Sequence, residues 1–128
     1  MIKAYLAGIS TLYEGEDIEV RYRIYEEEEL LCKEDIMLEY KKPTIVGLVS
    51  FITLLKKLER YVDKEMVVII NDGALFQSIR GTSGTKDRDV QEMAKRARRE
   101  LRKFVNLDIR NVSGSHIELG EWNEVLKA

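Results

Sequence analysis

The chain has 128 residues and a net charge of −2, with 45% hydrophobic and 34% charged residues. This composition excludes a disordered chain, while one Cys and one His exclude an internal disulfide and a zinc site of the common Cys/His kind. No apolar segment reaches membrane-spanning length and no leader precedes "MIKAYLAGIS", so we expect one cytoplasmic domain over residues 1–128. Abundant Glu, Lys and Arg with little Gln and Asn is a thermophile-like composition.

Three strands are predicted before the only proline. Residues 2–8 alternate between apolar and other side chains, and residues 17–26 do so more regularly. Residues 29–40 form a third, less regular strand. Pro43 then marks the start of a helix, because proline suits the first helical turn.

A helix, a strand and a second helix are predicted next. Helical spacing runs from Thr44 to about Val62, and its first half is apolar nearly all round, which indicates burial against a sheet. Residues 66–72, "MVVIIND", form the most hydrophobic strand, and we expect it to be central. Residues 73–79 form a short helix.

The last third of the chain contains a long amphipathic helix over residues 87–104, a strand over 107–114 and a short helix over 121–128. Thr85 or Asp87 is placed to cap the long helix. Its apolar stripe consists of Val90, Met93, Ala94, Ala97, Leu101 and Phe104. The order β-β-β-α-β-α-α-β-α predicts an α/β fold with a mixed sheet and helices on both faces.

Five segments together resemble type 1 ribonuclease H, and the resemblance covers almost the whole chain. They are "IKAYLAGIS", "TIVGLVSFITLLKKL", "VIINDGALFQSI", "DVQEMAKRARRELRKFVNLDIRNVSG" and "WNEVLKA". The resemblance implies a five-stranded mixed sheet, with three antiparallel leading strands, two further strands in βα units and helices on both faces. It also implies hydrolysis of a phosphodiester by two magnesium ions, which clustered carboxylates localise.

The family's four catalytic carboxylates correspond to Ala7, Gly47, Asp72 and Asn123 in this sequence. Only Asp72 keeps a carboxylate, so the resemblance predicts a degenerate catalytic set. Asp72 is then either a single metal ligand or a residue that caps the helix after it, and we favour the cap. His116 lies near the family's mobile catalytic histidine, but we favour a surface loop position for it.

Residues 95–103 of the long helix carry six basic side chains, with only Glu92 and Glu100 placed to offset them. These six are Lys95, Arg96, Arg98, Arg99, Arg102 and Lys103. They form either a phosphate-binding face, for an RNA–DNA hybrid or another nucleic acid, or a solvated helix face. The sequence leaves these alternatives open.

Three hypotheses follow. The leading one is a catalytically inactive ribonuclease H-like domain that binds nucleic acid or acts as a scaffold. The second is a divergent nuclease that uses Mg or Mn held by Asp72 together with non-standard carboxylates. The candidates for those carboxylates are Glu14, Glu16, Glu118 and Glu124. The third is a protein-interaction domain or homodimer, with a sheet edge or the C-terminal helix around Trp122 as its contact surface.

Overall fold

The computed structural model describes residues 1–11 and 13–127, and its helices and strands follow the predicted order. The strands are β1 (Ile2–Ile9), β2 (Ile18–Glu26), β3 (Glu29–Leu38), β4 (Glu65–Ile70) and β5 (Asn106–Asn111). The helices are α1 (Pro43–Leu58), α2 (Gly73–Arg80), α3 (Arg88–Leu101) and α4 (His116–Val125), with a 3₁₀ turn at Glu59–Tyr61. None of the described helices is both long and apolar enough to span a membrane.

The five strands form one mixed sheet in the order β3-β2-β1-β4-β5. The pairs β1/β2 and β2/β3 are antiparallel, whereas β1/β4 and β4/β5 are parallel. The predicted five-stranded mixed sheet is therefore confirmed. The strand in the middle is β1, however, and β4 lies between β1 and β5. The high hydrophobicity of β4 reflects cover on both faces of the sheet rather than a central position.

Helices cover both faces of the sheet, as predicted. The inner face, defined here as the face toward α1, α2 and α3, carries the larger core, which includes Ile2, Ala4 and Leu6 of β1. The outer face carries a smaller cluster in which Tyr5 of β1 packs near Leu126 at the end of α4. The alternation seen in β1 therefore separates two cores, one on each side of the sheet.

The last helix begins earlier than predicted. It starts at His116, five residues before the expected start at residue 121. The hydroxyl of Ser115 accepts a hydrogen bond from the backbone N–H of Glu118, and Ser-x-x-Glu is the pattern of a capping box. Gly120 concealed the helical pattern, because glycine is unfavourable inside a helix.

The end of α4 is held against β2 by two arginines. Arg21 donates a hydrogen bond to the carbonyl oxygen of Leu126 at 2.9 Å, and Arg23 donates to that of Lys127 at 3.4 Å. Arg23 is only 1% exposed and also binds Asp35 at 2.7 Å. These contacts occupy the last carbonyls of α4, which lack partners within the helix. They place the helix end beside the C-terminal end of β1.

Candidate functional site

The four positions that the resemblance assigned to catalysis line one pocket. Ala7 is near the end of β1, Gly47 is in α1, Asp72 directly precedes α2 and Asn123 is in α4, and all four line a cavity of about 360 Å³. The pocket lies where the parallel strands β1 and β4 end, an edge at which α/β proteins commonly bind ligands. The fold thus brings together residues that are up to 116 positions apart in the chain.

Asp72 acts as the N-terminal cap of α2. Its Oδ1 accepts a hydrogen bond from the backbone N–H of Leu75 at 3.0 Å, and its own backbone N–H donates to the side-chain oxygen of Asn111 at 3.2 Å. A carboxylate suits this position because the first N–H groups of a helix have no partner within the helix. The predicted capping geometry is therefore present.

The second oxygen of Asp72 lies against Gly47. A Cβ atom added to Gly47 would stand 2.6 Å from Oδ2 of Asp72 and 3.4 Å from the Cβ of Leu75. The first separation is shorter than a normal nonbonded contact, so any side chain at position 47 requires Asp72 to move. Glycine here permits α1 to approach the end of β4 closely.

The donor set of the pocket does not fit a pair of magnesium ions. Among the described residues that line it, Asp72 is the only carboxylate, Asn71 and Asn123 are neutral amides, and Arg21 and Lys127 are cationic. Magnesium sites rely on carboxylate oxygens, and two adjacent dications need several of them. Over residues 1–11 and 13–127, no group of three or more His, Cys, Asp or Glu side chains is placed to hold a metal.

The stand-in carboxylates lie elsewhere. Glu14 and Glu16 line a different pocket beside the loop after β1, and Glu118 forms an ion pair with Arg110 on the outer side of the sheet. Glu124 pairs with Lys127 at 3.1 Å, and both side chains are exposed. None of the four is among the described residues that line the pocket with Asp72.

His116 is an exposed residue at the start of α4. We predicted a surface loop position, and the structure confirms the exposure but places the residue in the first helical turn. It does not line the pocket that contains Asp72. The structure therefore does not bring His116 together with the four aligned positions.

The six basic side chains at positions 95–103 differ in whether each already has a partner within the protein. The predicted apolar stripe packs inward, with Ala97 fully buried. The guanidinium of Arg98 donates to the carbonyl of Ser78 at 2.7 Å, whereas Arg99 and Arg102 are exposed and form no ion pair with the described residues. Since α3 ends at Leu101, Arg102 follows the helix that we predicted to continue to residue 104.

The other three cations of this face have partners of their own. Lys95 forms an ion pair with Glu92, and Arg96 contacts the sulfur of Met93 at 3.9 Å. Lys103 pairs with Glu100 at 2.8 Å and with Glu59 at 3.3 Å. The Lys103 ammonium holds the pKa of Glu100 below its ordinary value. Arg99 and Arg102, together with Arg96, are consequently the exposed basic groups of this face that form no ion pair with the described residues.

Helices α1 and α3 run in the same direction, which separates the basic face from the pocket. Lys42 and Thr44 contact Asp87 where the two helices begin, and Glu59 contacts Lys103 where they end. Glu59, the partner of Lys103, follows Gly47 by 12 residues. At 1.5 Å per helical residue, the two positions are about 18 Å apart along the helix axis. The pocket and the free arginines therefore lie toward opposite ends of α1.

Several solved structures that are similar to this chain are ribonucleases H. The RNase H1 of the halophilic archaeon Halobacterium salinarum superposes with a TM-score of 0.80 at 16% identity, over 98% of this chain and 92% of that one. The N-terminal RNase H domain of a Mycobacterium tuberculosis protein matches with a TM-score of 0.76 at 11% identity, over 98% and 94%. This chain has a ribonuclease H-like fold. The sequence matches no protein-family model and no curated protein.

A third similar structure contains a ligand. LC11-RNase H1, isolated from compost by a metagenomic approach, was solved in complex with an RNA/DNA hybrid. It matches with a TM-score of 0.75 at 17% identity, over 99% of the present chain and 100% of its own. At such low identity the similarity establishes the ribonuclease H-like fold alone.

Sequence reasoning missed two features of this ribonuclease H-like domain. Arg21 was not predicted as a site residue, yet it lies directly opposite Ala7 in the register and lines the pocket. Trp122, predicted as a contact surface, is instead half-buried and donates its indole N–H to the carbonyl of Leu6 at 3.1 Å. Both depend on where α4 docks, and no local pattern in the sequence specifies that.

Proposed function

We propose that residues 1–128 act as one ribonuclease H-like domain that binds nucleic acid and does not hydrolyse it by two-metal chemistry. The observation that carries the proposal is the single carboxylate of the pocket, with Oδ2 of Asp72 in the space beside Gly47. RNA–DNA hybrid is the first ligand to test, because a protein with this fold, LC11-RNase H1, binds it.

Electrostatics supports the absence of two-metal catalysis. Two dications a few ångströms apart repel each other strongly, and only a concentrated negative charge offsets that repulsion. Here one carboxylate shares the pocket with the cationic side chains of Arg21 and Lys127. Glu19, which pairs with Arg21 at 2.7 Å, is not among the described residues that line the pocket. It therefore adds no free carboxylate to the one of Asp72.

The basic face of α3 supports binding. Arg99 and Arg102 are three residues apart, so their side chains project from neighbouring positions on the helix surface. One guanidinium group can donate hydrogen bonds to two oxygens of the same phosphate. Each phosphate that is neutralised in this way releases counterions, so the affinity falls as the salt concentration rises. Lys95, Arg96 and Lys103 add positive charge around these two arginines, and the ion pairs with Glu92 and Glu100 reduce the contribution of the two lysines.

Binding and cleavage are measured in the same experiment. Labelled RNA–DNA hybrid, single strands and duplexes are incubated with the protein in magnesium or manganese, and an Asp72→Asn variant is run in parallel. We expect salt-sensitive binding and no cleavage. Metal-dependent cleavage that disappears in the variant would contradict the proposal and favour a divergent nuclease. Absence of binding to every nucleic acid would contradict it as well.

A matched pair of variants locates the binding surface. Arg99→Gln with Arg102→Gln removes two charges from the basic face, and Lys3→Gln with Lys41→Gln removes two charges away from it, on β1 and before the start of α1. The first should reduce the slope of log affinity against log salt by about 2, and the second should leave it unchanged. Arg98→Gln serves as a third variant, since its contact with Ser78 predicts lower stability rather than weaker binding. If both double variants change the salt dependence equally, the basic face of α3 is not the contact surface.

A further inference from the structure

The strand β3 is a free edge of the sheet with exposed apolar side chains. It is ten residues long and, within the described chain, pairs only with β2. Leu30 is 46% exposed and Met37 is 59% exposed, so both ends of this edge present apolar side chains to solvent. Free edges of this kind invite pairing with another strand unless charged residues or bulges prevent it.

Four side chains of β3 share the outer face. In the register with β2, Met37 lies opposite Glu19, Asp35 opposite Arg21, Lys33 opposite Arg23, and Leu30 opposite Tyr25 after a shift in the ladder. The order along this face is therefore Leu30, Lys33, Asp35, Met37: apolar, basic, acidic, apolar. An antiparallel copy presents the same series in reverse, so the outer face of this edge is complementary to itself.

We propose that β3 pairs antiparallel with β3 of a second copy of this chain, forming a homodimer with one continuous sheet. Residues that face each other across two antiparallel strands lie on the same face of the sheet, so their numbers within the two copies differ by zero or an even number. The two-fold axis that relates the copies therefore passes through a residue and not between two residues. With the axis at Glu34, Lys33 of each copy faces Asp35 of the other. By number, Met37 of one copy then faces Leu31 of the other, but Leu31 is the extra residue of the ladder shift and packs against the inner core. The neighbouring Leu30 shares the outer face with Met37, so these two apolar side chains lie side by side at each end of the interface.

The other face of the strand fits the same register. Cys32 would face Ile36 of the second copy, and both are partly buried residues that already pack against the inner core. Glu34 would face itself, and Lys57 lies 3.7 Å from its carboxylate within the same chain, which offsets part of the repulsion. An axis at Lys33 or Asp35 would also place one like-charged pair opposite each other, as the axis at Glu34 does, and would in addition separate the Lys–Asp pairs.

Disulfide trapping tests both the pairing and its register. In a Cys32→Ser background, Glu34→Cys places two thiols directly opposite each other, close to the Cβ separation that a disulfide requires. Lys33→Cys is the matched control, because the same register separates its two copies by two residues along the strands. We expect oxidation to cross-link Glu34→Cys at least about tenfold faster than Lys33→Cys.

Mass measurement by light scattering completes the test. The parent protein should change from monomer to dimer as its concentration rises, and Lys33→Glu, which sets Glu against Asp35, should shift that transition to higher concentration. A monomer at every concentration would overturn the proposal. Faster cross-linking of Lys33→Cys, or equal rates at both positions, would overturn it too. Neither measurement involves nucleic acid, so the outcome is independent of the proposed binding function.

Discussion

Replacing Gly47 by alanine tests the contact between α1 and the carboxylate after β4. Glycine inside a helix costs about 1 kcal/mol relative to alanine, so the substitution alone should stabilise α1. The added Cβ would stand 2.6 Å from Oδ2 of Asp72, however, which is well inside normal contact distance. The carboxylate must therefore turn away from the helix.

Turning the carboxylate weakens the cap of α2, because Oδ1 of Asp72 accepts the hydrogen bond from Leu75 at 3.0 Å. A helix cap contributes about 1 kcal/mol to the free energy of unfolding. The gain and the loss nearly cancel, so Gly47→Ala should lie within about 0.5 kcal/mol of the parent. In an Asp72→Ser background, where a shorter side chain still caps but leaves the space free, Gly47→Ala should stabilise by about 1 kcal/mol.

Urea unfolding of the four proteins, followed by circular dichroism, measures this coupling free energy. Asp72→Asn is the control, since its side chain fills the same space without the charge. Gly47→Ala should behave there as it does in the parent, which separates crowding from electrostatics. If Gly47→Ala stabilises the parent and the serine background equally, the carboxylate does not lie over Gly47 and the reasoning is wrong.

Three further outcomes are expected. Trp122→Phe removes the hydrogen bond to β1 and should lower the free energy of unfolding by about 1 kcal/mol in urea; an unchanged midpoint would contradict the docking of α4. Burial, and then the Glu121 carboxylate, raise the pKa of Tyr5 to about 12. The stability that Tyr5 adds is therefore present below pH 10 and lost as pH rises toward 12, and Tyr5→Phe should reduce this alkaline loss in unfolding measurements. The hydrogen bond from Arg23 lowers the pKa of Asp35, so its contribution is present above the ordinary carboxyl pKa and lost as pH falls through the lowered value. In Asp35→Asn, the free energy of unfolding should therefore fall less as the pH is lowered. An ordinary pKa for the Asp35 carboxyl, measured by NMR titration, would refute the contact with Arg23.

The strands and helices followed from local patterns. Alternation in β1 and β2, and the apolar stripe of α3, predicted both the elements and the faces that are now buried. These features depend on residues a few positions apart, so the sequence contains them directly. Asp87 also caps α3, as one of the two predicted candidates, through hydrogen bonds from the N–H groups of Asp89 and Val90.

The site depended on contacts that local patterns do not encode. Asp72 and Gly47 are 25 residues apart, and their contact follows from how closely α1 approaches β4. The burial of Arg23 follows from α4, whose end lies 104 residues away in the chain. Gly47 and Asp72 were assigned through the resemblance to a known fold, whereas the burial of Arg23 was not predicted, because period-two alternation specifies a face but not what covers it.

The packing of Asp72 against Gly47 also determines the order in which a metal-binding carboxylate set could be installed in this chain. A glutamate at position 47 has no space until Asp72 moves. An aspartate at position 7 would stand opposite Arg21, whose guanidinium would compete with any metal for it. The steps at positions 7 and 47 are therefore each opposed by a neighbour that suits the present residue. A mutational path would have to change the supporting side chains before the ligands, and its early variants would gain no activity.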